Sequence, residues 1–176
     1  MSDEISALFE KFPGRNRQLG AGSYLFHQGN PVKRLYLVVQ GEVQLIRHQE
    51  GGAVLVLQRA GPGDVLAEAS VFATAYHCVA IARTNATVRG ISKSLFLAQF
   101  RQNPDLAETW ATRLAREIQS TRLRSEILSL RTVADRLDAW LAWHGTLLPK
   151  GDWNQIARQI GVSPEALYRE IARRRR

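Results

Sequence analysis

From about residue 18 to 92 the chain runs in short apolar stretches. YLFHQG, VKRLYLVVQ, GEVQLIRHQ and AVLVLQRA mix alternation with β-branched and aromatic residues. GN-P, QG, EGG and GPG separate them with residues suited to tight turns. The pattern predicts an all-β sandwich or barrel. Beyond Arg101 the punctuation stops: Asn103-Pro104-Asp105 offers a cap followed by proline at the first turn, and no glycine interrupts 104–131. Along that predicted helix Ala107, Ala111, Leu114, Ile118, Thr121, Ser125 and Leu128 recur at alternating spacings of four and three. This is a heptad seam, as two parallel helices of a homodimer require. Thr121 and Ser125 make it a poor isolated coiled coil, and the competing reading is a helix packed on its own β half. A second helix carries Val133, Leu137, Trp140 and Leu141 at core spacing before HGTLLPKG breaks it. The chain therefore divides into a β domain over 1–102, a long helix over 103–131 and a helical domain over 132–176.

The segment GDWNQIARQIGVSPEALYREIARRRR adds chemistry to this outline. Asp152 and Gln155 stand at capping-box spacing, Ile156 and Ile160 supply an apolar face, and Ala157 leaves room for a crossing helix. Gly161 suits a left-handed turn with Val162 beneath it, Ser163 caps the next helix and Pro164 starts it. In order, these are the parts of a helix-turn-helix. On its second helix Leu167 and Ile171 share one side, whereas Glu165, Arg169, Arg173 and Arg176 fall near the other. Such a face suits a DNA major groove, with an arginine fork for guanine and a glutamate for the cytosine amino group. The competing reading is a solvated face with Glu165 and Arg169 as an i,i+4 pair. Arg173 to Arg176 suit phosphates rather than bases.

Charge supports a polyanionic partner. The formal net charge is +8, and its excess thickens along the chain: residues 1–100 hold ten Lys/Arg against seven Asp/Glu, residues 153–176 six against two. Nucleic acid is the first candidate, anionic lipid the second, and a solubilising tail the ordinary alternative. With one cysteine, Cys78, an internal disulfide and multi-thiolate metal sites are excluded. His27, His48 and His144 are too scattered to suggest a metal site. No run approaches the ~18 apolar residues of a membrane span, and MSDEISALFEKF lacks a secretory pattern, so a cytoplasmic location without membrane partner is expected. No paired carboxylates, phosphate loop or nucleophile constellation points to an enzyme.

Taken together, YLFHQGN, RLYLVVQGEV, GPGDVLAEASVF and ARTNATVRGIS, followed by the helix-turn-helix, resemble the bacterial cyclic-AMP receptor protein and fumarate-nitrate regulator (Crp/Fnr) family from about Gly20 to Arg173. The resemblance implies an α+β architecture: a cyclic-nucleotide-binding-like jelly roll, a long dimerisation helix and a C-terminal winged helix-turn-helix reading a pseudo-palindromic operator. It implies double-stranded DNA and a second copy of the chain as partners, with RNA polymerase a further candidate. EALYR fits the family's Glu-x-x-x-Arg pattern, so Glu165 and Arg169 inherit base-reading roles and Ser163 a phosphate contact. Ser163, Glu165, Tyr168, Arg169, Arg173 and Arg176 form the expected DNA-binding set. The expected dimer interface is Ala111, Leu114, Ile118, Thr121, Ser125 and Leu128.

The sequence also departs from the family. A β-hairpin wing would follow the recognition helix, but the sequence stops at Arg176, so either the protein lacks the wing or the sequence is cut before it. In cAMP-binding relatives a Gly-Glu pair holds the ribose and a following Arg-Ser or Arg-Thr pair holds the cyclic phosphate. Here the pairs read Ala67-Glu68 and Tyr76-His77. A buried phosphodiester without its guanidinium loses several kcal/mol. Thr121 matches a residue that meets the purine, while the serine expected next is Arg122, which offers positive charge from another direction. The expected effector pocket is thus Ala67, Glu68, Tyr76, His77, Thr121 and Arg122. No cofactor is expected, cAMP is disfavoured, and another effector or a fixed scaffold takes its place. Glu68 has two readings, a ligand contact or a buried carboxylate bonded to backbone N–H groups. The cysteines of iron–sulfur relatives are absent. His77 and Cys78 are adjacent, so a regular strand points them to opposite faces and they cannot share a haem iron or form a catalytic dyad. The expected function is a homodimeric, sequence-specific transcription regulator. Its rival is a sensor or adaptor that touches nucleic acid without sequence preference.

Overall fold

A computed structural model describes residues 2–175. Two compact units are present, one through Ala111 and one from Thr112 onward. The division falls inside the long helix.

The first unit is built on eight strands: β1 (Gly14–Leu19), β2 (Tyr24–Phe26), β3 (Arg34–Gln40), β4 (Val43–His48), β5 (Val54–Ala60), β6 (Val65–Leu66), β7 (Val79–Ala82) and β8 (Ala86–Ser92). They form two antiparallel four-stranded sheets, ordered β1-β8-β3-β6 and β2-β7-β4-β5. First pairs with eighth, second with seventh, third with sixth and fourth with fifth. This nested pairing is a jelly roll. Strand alternation fills it: Tyr36, Val38, Val43, Leu45, Ala80, Ala82 and Val88 pack with Leu25, Phe26 and Tyr76 in one buried cluster. A separate aromatic group joins α1 (Ser2–Lys11), α2 (Lys93–Gln102) and the start of α3 (Pro104–Ser129). There Phe9 stacks on Trp110 at 6.0 Å and Phe96 lies 4.7 Å from Trp110.

Three elements differ from the sequence expectation. The roll begins at Gly14 rather than near residue 18, because β1 is an edge strand exposed everywhere but its ends and so carries no alternation. Neither α1 nor α2 is announced by the pattern. The Ser92 side chain makes no cap bond to α2, and Phe96 is its one fully buried residue.

The second unit contains most of α3, α4 (Val133–His144), α5 (Trp153–Ile160) and α6 (Pro164–Arg174). Asn103 caps α3 as expected, its Oδ1 accepting the Leu106 N–H at 3.1 Å. Leu137 and Trp140 of α4 join Trp153, Ile156, Ala157 and Ile160 of α5 and Leu167 and Ile171 of α6 in a continuous core. Two indoles anchor it, Trp140 Nε1 donating to Gln159 Oε1 at 2.6 Å and Trp153 Nε1 to the Leu148 carbonyl at 2.9 Å.

The seam on α3 is mostly uncovered within one chain. Ala111, Thr121 and Ser125 are exposed, Leu114 is half-buried, and Ile118 and Leu128 are 51% and 40% exposed. The helix instead buries Leu106, Trp110 and Ile127 in its own chain.

Candidate functional site

The α5–α6 pair has the local geometry its sequence dictates. Gly161 takes φ 66°, ψ 41°, the left-handed conformation that closes α5, and the Val162 N–H returns to the Ala157 carbonyl at 3.0 Å. A Cβ at Gly161 would meet only the tip of the exposed Leu128 side chain, so the turn needs glycine chiefly for its φ. Ser163 caps α6, its Oγ accepting the Ala166 N–H at 3.2 Å, and Pro164 holds the first turn. The Asp152–Gln155 capping box does not form. Asp152 closes a short 3-10 turn from Lys150 with φ −98°, ψ 1°, outside the extended region that aims a cap side chain at the helix, and it makes no cap bond.

On α6 the apolar and polar residues separate as expected. Leu167 and Ile171 are buried, while Glu165, Arg169 and Arg173 are exposed. Tyr168 is half-buried against Trp153, with ring centroids 5.0 Å apart. Arg169 makes no ion pair or hydrogen bond among the described residues. Bonds from its own backbone N–H and from the Ser163 hydroxyl hold the Glu165 carboxyl below the usual range. Arg176 lies outside the described residues.

The remaining arginines are not equivalent. Arg173 forks onto Glu170 at 2.8 and 3.0 Å while staying 70% exposed. Arg174 is turned inward, bonding Glu170, Asp138 and the Ala134 carbonyl. It fastens α6 to α4 rather than lying open to a phosphate, which corrects the grouping of 173–176 as one phosphate grip. Hydrogen bonds from Arg173 and Arg174 lower the Glu170 pKa to about 2. Arg175 sits over the Trp153 ring at 5.2 Å.

A residue the sequence reading passed over organises this unit. The Arg136 guanidinium donates to four carbonyls: Leu130 at 2.9 Å, Leu128 at 3.2 Å, Ile160 at 3.2 Å and Gly161 at 3.1 Å. It clips the end of α3 to the turn before α6 and supplies donors to carbonyls left over at two helix ends. One arginine among 24 basic residues carries no sequence signal for such a role.

In the roll, the segment that carries the Ala67-Glu68 pair, called the cassette below, opens at Ala67 with φ 68°, the one described non-glycine residue at positive φ, and a 3-10 turn Glu68–Ser70 follows. Ala67, Glu68 and Ser70 are buried. Tyr76 is 4% exposed and turned into the roll, its ring stacked on Phe26 at 3.9 Å and 12°. Its hydroxyl donates to the Arg34 carbonyl at 2.8 Å and accepts the Arg34 N–H at 3.4 Å. Burial pushes this phenol up to about 12. His77 is exposed, with Nδ1 2.9 Å from Ser70 Oγ, and Cys78 is buried beside it. Burial and the nearby Glu68 carboxylate raise the Cys78 thiol. Ala67, Glu68, Tyr76 and His77 thus gather on the first unit, whereas Thr121 and Arg122 are exposed on the second.

The cyclic nucleotide-binding domain family matches residues 16–103, the span of the jelly roll. The chain belongs to this family. Its relatives are Crp-type regulators. The cyclic AMP receptor protein of Thermus thermophilus is 30% identical over 117 residues, 66% of this chain and 54% of the relative. A CRP-like cAMP-activated global transcriptional regulator of Mycobacterium tuberculosis is 26% identical over 164 residues, 86% of this chain and 73% of that protein. FixK2 of Bradyrhizobium japonicum superposes with a TM-score of 0.66 over 92% of this chain and 84% of its own, at 18% identity, a likeness of fold. The chain spans about half the length of the first of these curated relatives. These relatives, and FixK2 by its fold, are what the chain is similar to beyond that domain. Among the described residues no helix is long and apolar enough to cross a membrane, and no group of three His, Cys, Asp or Glu gathers to hold a metal ion.

Proposed function

We propose that the chain is a sequence-specific transcription regulator of the Crp/Fnr type that works as a homodimer and reads DNA through α6. The observation that carries this reading is the capped α6. It turns Leu167 and Ile171 into the core and leaves Glu165 and Arg169 outward, with Arg169 making no hydrogen bond or short ion pair among the described residues. In a major groove Arg169 forks onto guanine, Glu165 leaves the Ser163 hydroxyl for a cytosine amino group, and Ser163, Arg173 and Arg176 take phosphates. The open seam from Ala111 to Leu128 supports pairing along α3, because Ile118 and Leu128 otherwise leave apolar surface in water.

The roll serves this regulator without the family's phosphate clamp. Tyr76 stands where that clamp's arginine is expected, stays neutral at physiological pH and fills its place by stacking on Phe26. A neutral buried phenol cannot replace a guanidinium toward a cyclic phosphate. DNA binding is therefore independent of cAMP.

Mobility-shift selection from random duplexes tests the reading. Enrichment of a two-fold motif with half-sites about one helical turn apart is expected. Binding that ignores sequence and collapses with salt would instead favour a non-specific adaptor.

A further inference from the structure

The first sheet carries a basic feature used by neither the cassette nor α6. Arg15 and Arg17, two apart on β1, project from one face and pair with Gly90 and Val88 of β8. Across β8, Gly90 pairs with Tyr36 of β3, and Arg34 stands two residues before that tyrosine. Arg15, Asn16, Arg17, Arg34, Tyr36 and Gly90 together line a cleft of about 180 Å³.

Gly90 keeps the floor of this cleft open. A Cβ there would stand 3.2 Å from Tyr36 Cε1 and 3.4 Å from Arg34 Cδ, closing the gap between the arginines. Arg17 is fixed, donating Nη1 to the Leu25 carbonyl and Nη2 to the Tyr24 carbonyl at 3.3 Å each, and its guanidinium has further N–H donors beyond these two bonds. The Arg15 and Arg34 guanidiniums make no hydrogen bond or ion pair among the described residues. The lining contains no carboxylate. Three arginines line one space with no carboxylate among them, so an anion entering it would meet only positive side chains and form charge-assisted hydrogen bonds with them. A merely solvated arginine face would need neither the open floor at Gly90 nor the tethered Arg17.

We propose that this cleft binds a small phosphate-type oxyanion, either inorganic phosphate or the phosphate of a small phosphorylated molecule, held by forks from Arg15, Arg17 and Arg34. The planar guanidinium matches two phosphate oxygens at once. The cleft's size admits a phosphoryl group with a short attached moiety but not a large ligand. The site stands apart from the DNA reading and holds or fails without it.

Thermal melting and calorimetry of the whole 176-residue chain, titrated with inorganic phosphate against chloride at matched ionic strength, test the site. A saturable rise in melting temperature is expected, with Kd on the order of 1 mM or below. Arg15→Gln with Arg34→Gln should raise that Kd at least about tenfold. Arg15→Gln alone, at an exposed edge position, keeps the test decisive should the double variant fold poorly. Arg169→Gln on α6 should leave phosphate binding unchanged. Tighter binding of glucose 6-phosphate than of phosphate identifies a phosphorylated metabolite as the occupant, and equal or weaker binding identifies the free ion. No saturation beyond the chloride control would overturn the proposal, as would loss of binding with Arg169→Gln but not with the Arg15 variant.

Discussion

Helix α6 and the 3-10 turn Glu68–Ser70 each follow a residue at positive φ, Gly161 at the end of α5 and Ala67 before the turn, yet α6 turns its polar groups outward and the turn buries them. On α6, Glu165 and Arg169 face outward while Leu167 and Ile171 hold the helix to α4 and α5. In the cassette region the polar groups turn inward: Glu68 and Ser70 are buried, and Tyr76 stacks on Phe26 with its hydroxyl bonded to Arg34 backbone. Gly161 adopts positive φ at no steric penalty, whereas Ala67 does so with a Cβ that costs about 1 kcal/mol. One region keeps its charged side chains at the surface, and the other buries Glu68, Ser70 and Tyr76.

The contrast can be broken experimentally, and the largest effect is expected on α3. Ile118→Asp places a charge on the open seam. It should yield a monomer in sedimentation and lower operator affinity by about a hundredfold or more, because each half-site then binds alone. Next comes Arg136→Ala, which removes four carbonyl partners at once. A loss of about 3 kcal/mol in denaturant unfolding of the second unit is expected, and Arg136→Lys should recover little of it because an ammonium cannot span those acceptors.

Arg169→Ala should cost ~1 to 3 kcal/mol at one half-site position in binding to the selected operator, whereas Arg173→Ala should weaken all sequences alike. Equal effects on selected and scrambled DNA would undo the division between reading and gripping. The smallest effect belongs to the cassette side. Tyr76→Phe loses one bond to the Arg34 carbonyl, about 1 kcal/mol near neutral pH. Because the folded phenol is raised from 10.0 to about 12, its contribution is complete below pH 10 and is lost as pH rises toward 12. Urea melts at about pH 8 and about pH 11 should therefore show a steeper alkaline loss in the wild type than in the phenylalanine variant.

Much of this was legible from local rules. The strand runs, the Asn103 cap, the left-handed Gly161 and the Ser163-Pro164 start all act within a few residues, so spacing alone reveals them. What stayed hidden depends on partners distant in sequence. β1 is polar because it lies at an edge, and Arg136 and Arg174 look like surface charges until the fold brings carbonyls and Asp138 to them. The Asp152–Gln155 pair shows the opposite error, where correct spacing fails because the preceding 3-10 turn sets the wrong backbone angles. At the cassette, the Ala67-Glu68 and Tyr76-His77 pairs were readable, but the stacking of Tyr76 on Phe26 was not, because Phe26 lies fifty residues away in sequence.

The most direct test is a titration of the selected operator with the protein in the presence and absence of saturating 3′,5′-cyclic AMP. The account predicts dissociation constants that agree within about twofold, since a ligand with no preferred state shifts no equilibrium. Tightening of tenfold or more by the nucleotide, about 1.4 kcal/mol of coupling, would contradict it.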